Sequence, residues 1–273
     1  MRQSLDLGTV DLTLVSDGRA DIEGDRVFYP ASQEEWEVGL DPDEAGNLPI
    51  AYRSLLIAEN DVLTLVDTGY GEEGRPDRKG KHLPENLATL DIAADQIDRV
   101  VISHAHGDHC MGNTLRRSGN WIPAFPNAEY VIQEKEVATI RENDDPLWVA
   151  HFAPLMERDQ LRLIDGRTEL TSSIACWSTP GHTIGHQSVL VRSGGQQALF
   201  MGDLAVFAQN MEYSDWGPVW AWSREHDARS RQKIAEWAVE RDATLIIGHD
   251  PQHPLVKLRR DGESYRFVPL VEA

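Results

Sequence analysis

The order of apolar and polar positions along the chain predicts a series of short strands broken by fewer helices. Residues 10–15 alternate apolar with polar side chains, the period of a half-buried strand. Residues 52–58 and 62–66 are apolar runs separated by Glu59-Asn60-Asp61, which predicts a hairpin of buried strands. Residues 85–97 place Leu87, Leu90, Ile92, Ala93 and Ile97 at helical spacing, and the run Val100-Val101-Ile102 then predicts a buried strand. A short helix is expected after Asn113, followed by a strand at 128–132 and a helix at 134–141. In the second half, strands are predicted at 174–178, 187–191, 198–201 and 244–247, and an amphipathic helix carrying Ile234, Trp237, Ala238 and Val239 over 227–241.

Three stretches break this pattern. Residues 25–48 are acidic and irregular, with Pro30 and Pro42 as breakers, and read as an extended arm or loop whose Phe28, Tyr29 and Trp36 must bury against something. Residues 72–82 are charged, contain Gly and Pro, and predict a mobile loop. Residues 144–158 place Trp148, Phe152, Leu155 and Met156 on one helical face, so these side chains read as core or as the edge of a pocket. Strands and helices do not alternate regularly, which argues against a simple doubly wound parallel sheet and for a mixed α+β class.

Composition narrows the function. The 273 residues are 41% hydrophobic and 26% charged, as in a soluble globular protein, and are read as one domain over 1–273. The 26 Lys+Arg against 45 Asp+Glu leave a formal charge of −19, a field that repels phosphate backbones and anionic lipid. Neither a nucleic-acid nor a membrane partner is therefore expected. Two cysteines give no disulfide framework, and no apolar run reaches the length of a membrane span, so the expected address is cytoplasmic.

The chemistry is concentrated where the strand at 100–102 breaks into a loop. Ser103-His104-Ala105-His106-Gly107-Asp108-His109 holds three imidazoles and a carboxylate within a few positions. On an extended backbone, His104, His106 and Asp108 project to one side while His109 turns away as the loop curls. Imidazole nitrogen and carboxylate oxygen suit borderline divalent cations, and a catalytic site takes about three protein ligands with one position left open. Four such groups are too many for one ion and too few for two, so further ligands must come from elsewhere in the chain. His182 in Thr179-Pro180-Gly181-His182, Asp203 after an apolar strand and His249 in Gly248-His249-Asp250 stand at predicted strand ends and bring the set to seven.

The stretch 104–109 resembles the H-x-H-x-D-H signature of the metallo-β-lactamase superfamily, and Asp67-Thr68-Gly69 at a strand end is similar to that family's pattern as well. The resemblance implies a four-layer αβ/βα sandwich with ligands clustered where strands end along one edge. It also implies two divalent ions, Zn²⁺ being the expected metal. His104, His106 and His182 would hold one, Asp108, His109 and His249 the other, and Asp203 would bridge them. Asp67 would orient the loop instead of binding metal, and His186 and His253 read as structural or pocket-lining. Hydrolysis would proceed through a hydroxide held between the ions, with Asp203 bridging and Asp108 taking up the proton.

Substrate class follows by exclusion within the resemblance. Only 24 residues follow His249, too few for the helical domain of glyoxalase-II-like enzymes, and the negative charge is unlike the RNA-processing members. An aspartate, Asp203, stands where the best-known β-lactamases have a cysteine. What remains resembles quorum-quenching lactonases and organophosphate hydrolases, which implies a small lactone or ester substrate. Phosphotriesterase activity, or a non-catalytic metal-binding role for the same fold, are the alternatives. Several acyl-homoserine lactonases place a tyrosine three residues after the bridging aspartate, where this chain has Val206, which leaves Tyr213 as a substitute. Trp148, Phe152, Phe207, Tyr213 and Trp220 are the pocket candidates, with rings that fill a gap between loop and helix as the competing reading of the aromatic stretch 207–222. A homodimer formed through the 25–48 arm is the expected assembly, with the arm pinned to its own domain as the competing reading.

Overall fold

The computed structural model describes residues 3–72, 74–75 and 77–270. The first half of the chain supplies strands β1 (Gln3–Asp6), β2 (Val10–Glu23), β3 (Asn47–Glu59), β4 (Val62–Val66), β5 (Arg99–Val101), β6 (Thr114–Arg117), β7 (Asn120–Pro123), β8 (Glu129–Gln133) and β9 (Leu161–Ile164). All but β6 and β7 form one sheet in the order β1-β2-β3-β4-β5-β8-β9, antiparallel as far as β4 and parallel beyond it. The second half supplies β10 (Thr168–Glu169), β11 (Ile174–Ser178), β12 (Gln187–Ser193), β13 (Gln196–Phe200), β14 (Thr244–Ile246), β15 (Leu255–Asp261) and β16 (Ser264–Pro269). They lie side by side in chain order, with one parallel pair, β13 and β14.

The two sheets pack face to face because both faces of their central strands are apolar. Successive strand residues point to opposite faces. In β3, Leu55 and Ile57 therefore enter the core between the sheets, while Leu56 faces outward. In β5, Val101 faces the second sheet and Val100 the outer helices. The inner layer meets Cys176, Val189, Val191, Ala198, Phe200 and Ile246 of the second sheet. Helices Leu83–Ala88 and Glu134–Glu142 cover the outer face of the first sheet, and helix Arg224–Arg241 covers that of the second through Ile234, Ala235 and Ala238. Helix, sheet, sheet, helix is the four-layer αβ/βα sandwich implied by the sequence.

Several elements differ from expectation. No helix follows Asn113; β6 and β7 form a hairpin there, turning through Ser118 and Gly119 at φ 50° and 83°. Two positive φ values make the tight turn that matches strand twist, and a serine in the first position hides its signature. The helix at 85–97 is shorter, Leu83–Ala88, and the chain leaves it through Asp91 at φ 59°. In 144–158 the chain makes a π-helical turn, Trp148–Phe152, followed by Ala153–Met156; Phe152 and Leu155 are buried and Met156 is partly exposed. Strand β2 runs well past residue 15, with a register shift between Ser16 and Arg19.

The 25–48 arm contains short helical turns at Gly24–Val27 and Gln33–Trp36, and its last two residues already belong to β3. Phe28 and Trp36 are fully buried against Leu48, Ile50, Val206 and Phe207. Those two rings pin the arm to its own domain.

Candidate metal centre

The motif loop is shaped by where β5 ends. Beyond Ile102 the chain bends through Ser103 and Ala105 to His106, which is itself extended and caps a helical turn over Gly107–Cys110. Alternation therefore stops at Gly107. His104 and His106 share one side, whereas Asp108, in the helical turn, joins His109 on the other, a correction to the grouping that an extended strand predicts.

The seven side chains converge in two groups, His104, His106, His182 and Asp203 in one and Asp108, His109 and His249 in the other. His106 Nδ1 lies 3.0 Å from both His104 Nε2 and His182 Nε2. His109 Nε2 and His249 Nε2 are 3.3 Å apart, with Asp108 Oδ2 at 3.5 and 3.7 Å from them. Asp203 stands between the groups. Its Oδ2 is 3.2 Å from His182 Nε2 and 3.9 Å from His104 Nε2, and its Oδ1 is 2.9 Å from His249 Nε2 and 3.1 Å from His109 Nε2.

Outer hydrogen bonds decide which nitrogen of each ring faces inward. Asp67, at φ 62°, accepts from the Ser103 N–H at 2.7 Å, the Ser103 hydroxyl at 2.8 Å and His109 Nδ1–H at 2.7 Å. Because the Ser103 hydroxyl is committed to Asp67, it accepts from His104 Nδ1–H at 3.0 Å. His249 Nδ1–H donates to the Ala51 carbonyl at 2.8 Å. Each of these three rings therefore commits Nδ1 to an outer partner and turns Nε2 toward the site, the nitrogen left to a metal. Burial pushes His104 and His182 well below the ordinary imidazole range and keeps them neutral. Burial opposes the charge on Asp203, but His109 and His249 outweigh it and hold the carboxyl well below its ordinary range.

Such a set fits divalent metal. The Nε2 atoms of His104 and His182 each lie 3.0 Å from His106 Nδ1, so three imidazole nitrogens converge as the donor set of one ion would. Asp203 Oδ1 is buried without an oriented hydrogen bond even though two imidazole nitrogens lie within 3.1 Å. Neutral imidazoles and carboxylates are ligands of borderline divalent ions.

Residues without a sequence signature hold the ligand loops. Glu136 is buried and accepts from the Ala105 N–H, the Gly185 N–H and the Thr183 hydroxyl, each at 2.9 Å, so one carboxylate ties the His104 loop to the His182 turn. His186 Nε2 accepts the Asp203 backbone N–H at 3.1 Å while Nδ1–H donates to the Thr179 carbonyl, which places this ring behind the bridging position. Gly181 lies so close to helix Arg224–Arg241 that a Cβ there would come within 2.2 Å of the Asp227 Cα. Asp227 itself is paired with Arg231, which also donates to the Leu204 and Ser214 carbonyls beyond Asp203. His253 packs beside Asp250, outside both groups.

Above the groups is a cavity of about 180 Å³. Its wall includes His106, Asp108, Asp203 and His249, with Ile22, Ile50, Tyr52, Tyr70, Arg75, Val206 and Trp220. Three larger hollows, about 520, 350 and 310 Å³, contain none of the seven side chains.

Of the five aromatic pocket candidates, only Trp220 lines this cavity. Phe152 is fully buried on the outer face of the first sheet, and Trp148 packs on the same cluster with Arg141 over its ring. Phe207 is buried against Phe28, their ring centres 5.4 Å apart. Tyr213 is 47% exposed and stacks on Trp216 instead of facing the cavity. Large apolar rings on the inward side of an element go to the core first, which is where Phe152 and Phe207 lie. Tyr70 directly follows Asp67-Thr68-Gly69 and was within reach of sequence reasoning. Ile22, Ile50, Tyr52 and Arg75 carry no motif.

Residues 51–249 match the family model described as the metallo-beta-lactamase superfamily. The chain is 27% identical over 179 residues to the N-acyl homoserine lactonase AttM of Rhizobium radiobacter, a match covering 61% of this chain and 63% of that protein. The matched region thus spans less than two thirds of that relative. It is 24% identical over 229 residues to an N-acyl homoserine lactonase of Bacillus cereus, covering 77% of this chain and 85% of that one. Among solved structures, AidC, a dizinc quorum-quenching lactonase in complex with a product, superposes with a TM-score of 0.82 at 22% identity, over 100% of this chain and 98% of its own. The hydrolase AbOPH of the beta lactamase superfamily gives 0.83 at 18% identity, with the same coverage.

Proposed function

The chain belongs to the metallo-beta-lactamase superfamily, and from its site we propose that it is a dinuclear metal-dependent hydrolase that opens a lactone or cleaves an ester of a small molecule. The observation that carries this reading is the position of Asp203, one carboxylate oxygen toward each imidazole group. A single-ion site has no use for that arrangement. The lactone or ester class is supported by the named activities of the AttM and Bacillus cereus relatives, and by a cavity whose Ile22, Ile50 and Val206 suit an alkyl or acyl chain.

When bound, a pair of divalent ions, Zn²⁺ in this proposal, supplies an activated water and polarises the substrate oxygen. His104, His106 and His182 would hold one ion and Asp108, His109 and His249 the other, with Asp203 shared. The protein's own groups orient and shield. Asp67 and the Ala51 carbonyl fix His109 and His249 through their Nδ1 atoms, so neither ring can swing out of the site. Ile22, Ile50 and Val206 keep bulk water away from the reacting carbon. Asp108 lines the cavity and reaches the second imidazole group, as Asp203 also does. Burial opposes the ionisation of Asp108, but His109 and His249 prevail and hold the carboxyl at about 2, so it is ionised as a metal ligand must be.

The test is metal analysis of the purified protein followed by turnover of a panel: acyl-homoserine lactones, γ- and δ-lactones, nitrophenyl esters and paraoxon. Two equivalents of metal and fastest turnover of a lactone or ester are expected. A preference for the phosphotriester would move the assignment to that class, and full metal with no turnover would leave a metal-binding protein.

A further inference from the structure

We propose that Tyr52, positioned by Arg75, donates a hydrogen bond to the substrate oxygen on which negative charge builds during hydrolysis; the inference rests on the hydrolase reading above. Charge developing on an oxygen needs a donor aimed at it in advance. In the cavity wall Ile22, Ile50 and Val206 have no donor, Asp108 and Asp203 offer acceptors, and the donors outside the imidazole groups are Tyr52, Tyr70, Arg75 and Trp220.

Of these donors, Tyr52 stands against an imidazole of the second group. It projects from β3 with its ring edge-to-face against His249, centroids 5.6 Å apart, and so stands beside the second imidazole group. Tyr70 braces it from another side at 5.0 Å, also edge-to-face. Arg75 Nη1 donates to the Tyr52 hydroxyl at 2.8 Å. Arg75 is itself clamped by Asp77, Nε to Oδ1 at 2.7 Å and Nη2 to Oδ2 at 3.0 Å.

The direction of these bonds matters. A guanidinium can only donate, so its bond occupies a lone pair of the Tyr52 oxygen and leaves the phenolic proton unused. The Tyr70 hydroxyl also bonds to Tyr52 and favours its ionised form, so it too acts as a donor to that oxygen and leaves the Tyr52 proton to the cavity. A hydroxyl that already accepts a bond is polarised into a stronger donor. The chain Asp77, Arg75, Tyr52 therefore ends in a proton directed at the cavity. Tyr52 is the catalytic residue of the three, and Arg75 a positioning residue.

The experiment uses metal-loaded wild type, Tyr52→Phe, Arg75→Met and the double variant, each checked for two equivalents of metal and an unchanged circular dichroism spectrum. Kinetics on the best lactone or ester are paired with the affinity for hexylboronic acid, a tetrahedral oxyanion mimic that binds without turnover. In Tyr52→Phe, kcat should fall about 100-fold with KM within about threefold, the scale of removing one oxyanion donor, and boronic acid affinity should fall about tenfold. Arg75→Met should cost about tenfold in wild type and less than about twofold in the Tyr52→Phe background, since it acts through the phenol. Retention of kcat and boronic acid affinity in Tyr52→Phe overturns the proposal, and an equal Arg75→Met loss in both backgrounds overturns the positioning role. Wild type that hydrolyses nothing yet binds the boronic acid in a Tyr52-dependent way supports the hydrogen bond and rejects the hydrolase reading. Wild type that does neither rejects both.

Discussion

Asp67 holds His109 through a 2.7 Å hydrogen bond from Nδ1 while standing in left-handed backbone at φ 62°. The same carboxylate accepts the Ser103 N–H and hydroxyl, so one side chain sets both the ring and the loop that carries it. Asp67→Asn preserves the backbone preference, because asparagine tolerates that conformation, but removes the charge. We expect the affinity of the second ion to fall about 10- to 100-fold, the usual effect of losing a partner behind a metal-ligating histidine. Competition with a graded chelator series measures it, and unchanged affinity would contradict the role of Asp67.

Asp203 serves both imidazole groups, so Asp203→Ala should abolish hydrolysis and leave fewer than two equivalents of metal bound with the fold retained. His106→Ala should likewise abolish hydrolysis, since His106 Nδ1 lies 3.0 Å from both other imidazoles of the first group. Elemental analysis and turnover on the same preparation decide it. Near-normal rates in either variant would end the mechanism.

Glu136→Ala would leave the buried Ala105 and Gly185 N–H groups and the Thr183 hydroxyl without their shared acceptor. Each orphaned buried donor costs roughly 1–3 kcal/mol, so the urea midpoint should drop well beyond that of a surface variant. Weakened metal binding should accompany it, because the loops carrying His104 and His182 lose their common anchor. Equal stability of variant and wild type would show that other contacts hold those loops.

Stability should fall on mild acidification through His151. Burial lowers this imidazole to about 4, while the unfolded chain takes up the proton near 6.5. Between those values the unfolded state binds more protons, so acid favours unfolding, and the contribution present above the unfolded value is lost as pH drops toward the folded one. The slope is about 1.4 kcal/mol per pH unit within that window. Urea titrations from pH 7 to pH 4.5 should show a shallower decline for His151→Asn, which keeps a donor toward Thr114. Parallel slopes would rule out this source.

How far the primary structure reaches is clear from particular residues. The metal-type side chains are legible because their chemistry is local: ligands stand directly after apolar strands, and His104 to His109 crowd four into one turn. The two-faced apolar runs at Val100-Val101 and 55–57 also announce strands buried on both sides. The hairpin at Thr114–Pro123 was not legible, since its turn depends on a serine at positive φ.

Sequence by itself determined the ligand-type side chains, their attachment to strand ends and the acidic character of the chain, all of which follow from local pattern and composition. Tertiary structure alone decided which aromatics face the site. Trp148, Phe152, Phe207 and Tyr213 are as aromatic as Trp220, yet core packing and solvent take the first four. The cavity wall instead comes from β2, β3 and the loop bearing Arg75. Those segments meet the metal loop only because β3, β4 and β5 are neighbours in one sheet and Ala51 bonds to His249 across to the other. Pairing between distant segments has no counterpart in local periodicity, so that part of the site required the folded chain.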